Sequence, residues 1–134
     1  MSSDVSWLSG QLVRAVQREA YSWHFSFSDG SQLTAECPWR IIADHAVALG
    51  SVDHHQKFGL PQNVDAAKEA ESLLESRKIS EALIRPETCD LIITFERGVR
   101  LELFNGSAGY EGWNLGAPDG RLFVAQGGGQ LALV

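Results

Sequence analysis

The sequence predicts an α+β domain made mostly of antiparallel β-meanders, and three observations predict it. Residues 21–37, YSWHFSFSDGSQLTAEC, alternate aromatic and polar side chains on either side of Ser28-Asp29-Gly30, the period of a half-buried strand. A similar hairpin pattern recurs at 89–103, CDLIITFERGVRLEL, and at 113–125, WNLGAPDGRLFVA. Between the first two lies a stretch, 63–77, whose Ala66, Ala67, Ala70, Leu73 and Leu74 repeat at helical spacing.

The turns set the register. A two-residue Asp-Gly loop would place Phe27 opposite Gln32 and mix polar with apolar side chains. A three-residue loop with Gly30 left-handed pairs Phe27 with Ser31, Phe25 with Leu33, Trp23 with Ala35 and Tyr21 with Cys37. That register brings the apolar residues to one face, and glycine adopts positive φ without a Cβ penalty. The same device at Gly98 pairs Phe95 with Val99, Ile93 with Leu101 and Leu91 with Leu103. At Pro118-Asp119-Gly120 it pairs Leu115 with Phe123 and Trp113 with Ala125.

In chain order, 5–10 form a lead-in with Trp7 and Leu8 as core plugs, and 11–18 a first strand. The 21–37 hairpin follows. Pro38 cannot donate to a ladder, so a new strand starts near Trp39, with 45–49 continuing it. Residues 50–62 carry two Gly and one Pro and read as loop. The helix is expected to be capped by Asn63, with Asp65 in its first turn and two bases near its end. A strand at 79–85, the 89–104 hairpin, a loop at 105–109 and the third hairpin come next. Gly127-Gly128-Gly129 is expected to be a flexible joint before a terminal strand at 130–134. The chain reads as one domain, 1–134, with a candidate internal duplication of 11–43 and 79–109 bridged by the helix. A sandwich and a half-open barrel both fit.

Composition excludes several classes. The chain of 134 residues is 44% hydrophobic, with four Trp and six Phe, enough for a packed core. Net charge is −6, and no Lys/Arg cluster stands out, which argues against nucleic acid. The acidity favours a basic partner. No run approaches the roughly 20 apolar residues of a membrane span, and the N-terminus has no signal-peptide pattern, so a cytoplasmic protein without a membrane partner is expected. Cys37 and Cys89 read as buried thiols.

Candidate chemistry is sparse. His45, Asp53, His54 and His55 offer N/O donors for a metal, but adjacent His54 and His55 cannot face the same way on a strand, and no zinc spacing is matched. Cys37 with His45 would need a base within reach and a lowered thiol pKa, whereas the register buries Cys37. The glycines at 127–129 precede a strand rather than a helix, which disfavours a phosphate cradle; they suit a crossover or a close backbone approach. Glu36, Glu102 and Glu111 are carboxylates on or beside strands, Glu36 and Glu102 toward the wet face. Tyr, Trp and Arg commonly anchor binding surfaces, which singles out Trp39, Arg40, Tyr110 and Glu111 as binding candidates. No cofactor is expected.

Four stretches, CPWRI at 37–41, GSVDHHQKFGLP at 50–61, GYEGWNL at 109–115 and VAQGGGQLAL at 124–133, resemble a family of small bacterial proteins known only as a domain of unknown function. The resemblance runs from about residue 8 to 134. It implies a bacterial cytosolic protein and transfers no activity and no site. Two readings follow. One is a non-catalytic protein-binding module, immunity-type by analogy of size and charge. The other is a small metal-binding protein or enzyme using His45, Asp53, His54 and His55. The balance leans away from an enzyme. A homodimer through the apolar edge at 130–134 is a further partner reading.

Overall fold

The structure, a computed structural model, describes residues 4–134. Among the described residues eleven strands form two antiparallel sheets. The six-stranded sheet has the order β1 (Val13–Glu19), β2 (Ser22–Phe27), β3 (Gln32–Ala35), β9 (Trp113–Gly116), β10 (Leu122–Gln126), β11 (Gln130–Leu133). The five-stranded sheet has the order β5 (Ala46–Gly50), β4 (Trp39–Ala43), β8 (Val99–Leu103), β7 (Leu91–Phe95), β6 (Ile79–Ile84). One helix, α1 (Ala66–Leu74), packs against β1, β4 and β5. The α+β expectation stands, with the strands arranged as a sandwich.

The hairpin registers are the ones the loops demand. Phe25 pairs with Leu33 and Trp23 with Ala35, Ile93 with Leu101 and Leu91 with Leu103, and Leu115 with Phe123. Gly30 has φ 91° and Gly120 φ 94°. The middle loop differs: Arg97 (φ 62°) is left-handed as well as Gly98 (φ 76°). Of the two candidate halves of the duplication, 11–43 contributes β1–β2–β3 to the six-stranded sheet and β4 to the five-stranded one, whereas 79–109 contributes β6–β7–β8 to the five-stranded sheet alone.

Because inward side chains alternate along every strand, the two inner faces close on one core. Phe25, Leu33, Trp39, Ile41, Leu101, Leu103, Trp113 and Phe123 are buried. Trp39 of β4 meets Trp23 and Phe25 of β2 edge to face, an arrangement that aligns positive ring edges with negative ring faces. Trp113 Nε1 donates to the Cys89 carbonyl at 2.8 Å, tying β9 to the turn between β6 and β7.

The helix begins later than expected. Asp65, not Asn63, is its N-cap, accepting from Lys68 N at 3.1 Å. The reason is upstream: Val64 N donates to Gln56 O and His55 N to Val64 O, so residue 64 is held in extended pairing. Ala66, Ala70 and Leu74 are the fully buried face. The helix ends at Leu74, before the two expected bases; Arg77 Nε nevertheless reaches back to Leu73 O at 3.0 Å.

Four further expectations are corrected. Residues 45–49 do not continue β4; Asp44 (φ 52°) and His45 (φ 62°) form a tight turn and β5 runs back beside β4. Tyr21 is 87% exposed, because Ala20-Tyr21 is the two-residue loop between β1 and β2. Glu102 does point to the outer face, but Arg40 and Arg100 cover it, so it is buried rather than wet. Gly127-Gly128-Gly129 is no loose joint but the packed turn between β10 and β11. A Cβ on Gly127 would collide with the Gly109 backbone and one on Gly129 with the Glu87 carbonyl. This is the close approach that glycine permits.

Candidate functional site

The chain passes between the sheets twice. Residues 36–38 lead from β3 to β4, and 104–112 lead from β8 to β9. The two crossings lie side by side: Phe104 N donates to Pro38 O at 3.0 Å and Glu36 N to Gly112 O at 2.8 Å. Between them opens a cleft of about 660 Å³, lined by Glu36, Cys37, Pro38, Phe104, Tyr110 and Glu111 among others.

Asn105 holds this region together. Its side-chain Nδ2 donates to Thr88 O at 2.9 Å and to Gln126 O at 3.0 Å, and its backbone N–H donates to Asp90 Oδ1 at 2.8 Å. Three segments distant in sequence therefore meet on one buried carboxamide. Its Oδ1 has no hydrogen-bond partner and lies against Gly112, where a Cβ would collide with it. Ser107 Oγ accepts from Gly109 N at 3.1 Å and Tyr110 N at 2.9 Å, and Gly128 N donates to Ser107 O at 2.9 Å. The loop is fixed, yet the Tyr110 ring at its crest is 83% exposed.

The predicted binding residues separate. Tyr110 and Glu111 line the cleft together. Trp39 is no surface residue; its place on the inward face of β4 puts it in the core at 1% exposure. Arg40 stands on the outer face of the five-stranded sheet. Its Nε donates to Glu102 Oε1 and Arg100 Nε to Glu102 Oε2, both at 2.7 Å, and its guanidinium lies over the Phe104 ring. Burial alone would raise the Glu102 carboxyl; the hydrogen bonds from Arg100 and Arg40, then their charges, outweigh it and hold it below the ordinary value.

The groups that could do chemistry are occupied elsewhere. Burial pushes the Cys37 thiol up to about 12, so it is not a thiolate at neutral pH. Burial also raises Cys89, whose Sγ donates to Gly129 O at 3.1 Å. Both cysteines are free. His45 sits in the β4–β5 turn, separated from Cys37 by the length of β4, about 15 Å at ~3.3 Å per residue. Asp53 Oδ2 accepts from Gly50 N at 2.8 Å, and His54 Nδ1 accepts from Ala66 N at 3.1 Å. His55 leans on His54. These donors do not converge with His45. Among the described residues no group of three His, Cys, Asp or Glu side chains is placed to hold a metal ion.

Sequence reasoning singled out Tyr110 and Glu111 but missed Asn105, which read as the start of a loop. Nothing in the sequence ties it to Thr88 or Gln126.

Fold and cleft together define a two-sheet α+β protein with a rigid loop-borne surface. The chain belongs to a family of unknown function, DUF6188, whose model matches residues 4–134. No curated protein and no solved structure matches it. Among the described residues no helix is long and apolar enough to cross a membrane.

Proposed function

We propose that this protein is a non-catalytic protein-binding module that recognises a basic partner through the cleft between its two sheet crossings. The observation that carries this reading is the exposed Tyr110 ring on an immobilised loop, beside Glu36 and Glu111 at a cleft of about 660 Å³. An aromatic anchor on a backbone already held by hydrogen bonds has less loop freedom to lose on binding, and large aromatic side chains dominate interface energetics. The net charge of −6 draws a basic partner to the surface and speeds encounter. Two free, buried thiols suit a reducing compartment, and the reading places the protein in a bacterial cytoplasm, with an immunity-type role toward a basic toxin as its specific form.

The test is a pull-down from the native host with the wild-type chain and with Tyr110→Ala and Glu111→Lys as paired baits. A basic protein retained by the wild type and lost from both variants supports the reading. Equal capture by all three baits, or no specific capture by any, overturns it.

A further inference from the structure

The sandwich has four edge strands, β1, β11, β5 and β6. An edge presents unpaired N–H and C=O groups, and proteins blunt it with bulges, charges or cover. Three of these four edges are blunted alike. The ladders of β1, β5 and β6 each carry a register break that leaves an extra residue on the edge strand: Arg14 between Val13 and Ala15, Ala48 between Val47 and Leu49, and Ser80 between Ile79 and Glu81. The first edge is also covered, since Glu71 Oε2 of α1 takes the Val16 N–H at 2.9 Å. At β6, Gly10 N donates to Ile79 O and Ile79 N to Gln11 O.

β11 has none of this. Its ladder with β10 is unbroken, and Gln-Leu-Ala-Leu carries no charge and no proline. Leu122 and Val134 exchange both backbone hydrogen bonds, at 3.0 and 2.9 Å. Alternation along an antiparallel pair puts the next exchanges at Val124 with Ala132 and at Gln126 with Gln130. The N–H and C=O of Leu131 and Leu133 therefore point away from β10, and among the described residues nothing bonds them.

We propose that β11 is a docking edge for a second copy of this chain, with the two β11 strands antiparallel about a two-fold axis at Ala132. This pairing sets Leu131 against the partner copy's Leu133 and the reverse, and satisfies all four outward groups of each strand. Ala132 meets its own copy at the close, non-hydrogen-bonded position, where Cα atoms approach to about 4.5 Å and a methyl group fits. Neither β11 strand carries a charged side chain. Residues directly opposite share a face, so the incoming leucines turn toward the groove of about 550 Å³ between β11 and β6, where Val5, Ile84 and Leu131 offer apolar wall and Asp4, Arg85 and Glu87 a charged one. The sequence is its own complement, an isologous contact that closes as a dimer. The proposal does not rest on the cleft and stands or falls separately.

Light scattering with size exclusion on the full chain tests it. The wild type should have twice the 14.7 kDa chain mass. Ala132→Lys should halve that mass while still melting cooperatively, at a midpoint lowered only by the lost association, because two ammonium groups then meet at the axis. Mixing Ala132→Lys with Ala132→Glu should restore the doubled mass as a heterodimer. Leu131→Pro, which removes an outward N–H and no internal hydrogen bond, should also be monomeric and serves if the lysine variant melts early. A wild type that is monomeric at every soluble concentration overturns the proposal. So does a doubled mass that survives both Ala132→Lys and Leu131→Pro.

Discussion

Trp23 and Trp39 meet edge to face across the two sheets, 5.1 Å between ring centroids with 89° between their planes. The contact joins β2 to β4, which share no ladder. Around it, Arg18 lies over the Trp23 face at 4.4 Å and His54 stands edge-on to Trp23 at 5.2 Å. One pair of indoles thus links both sheets to the loop that leads into α1.

Truncating Trp39 tests this joint. Trp39→Ala should destabilise by about 3–5 kcal/mol in urea unfolding, the usual cost of removing a large buried aromatic side chain. Trp39→Phe should cost far less, because Trp39 Nε1 has no acceptor to lose and a ring edge remains to face Trp23. A small loss in the alanine variant would show that the indole does not bridge the sheets.

Asn105 is the second test. Asn105→Ala leaves the Thr88 and Gln126 carbonyls without their side-chain donor and should cost about 1–3 kcal/mol. Asn105→Asp should be worse, since a carboxylate would face the same two carbonyl acceptors. Thermal melts that rank the aspartate variant above the alanine variant would contradict this account of the loop.

Glu71 guards the β1 edge from the helix. Glu71→Ala should lower stability by about 0.5–1.5 kcal/mol, the net worth of one hydrogen bond. It should also speed amide exchange at Val16 while leaving the β10–β11 amides unaffected. Glu71→Gln keeps an acceptor oxygen and should preserve most of the protection at Val16. Unchanged exchange at Val16 in the alanine variant would remove the carboxylate from this role.

His54 predicts a pH dependence. Burial first, then the charges of His55 and Arg18, hold its pKa below the ordinary 6.5. Its Nδ1 must be unprotonated to accept from Ala66 N. A histidine with a lowered folded pKa binds its proton more readily when unfolded, so its contribution is fully present above 6.5 and lost as pH falls through the folded value. Thermal midpoints should therefore drop on acidification below 6.5, and His54→Gln should flatten that part of the curve. An equal slope in the variant would assign the acid sensitivity elsewhere.

The hairpins were legible because their information is local: a glycine at the right offset and apolar residues in step on both arms. Where a turn lacked glycine, reading failed. Asp44-His45 turns the chain with two left-handed non-glycine residues, so β5 went unseen. Tyr21 looked like the next inward aromatic, but the pleat stops at Ser22. The cap moved from Asn63 to Asp65 because of a backbone pairing between residues 56 and 64 that no propensity encodes. At the cleft, the exposed side chains Tyr110 and Glu111 could be guessed from residue type. Asn105 could not, since its partners lie 17 and 21 residues away.

The six-stranded sheet joins segments far apart in the chain, because β3 pairs with β9 through Leu33 and Leu115. That seam can form only once the segment through Gly116 has joined Leu33's strand, so assembly must wait on a long loop closure. Such distant pairing slows folding toward milliseconds or seconds rather than microseconds. It also makes the third strand the most vulnerable part of a nascent molecule: until its late neighbour arrives, one whole side of it lacks a mate.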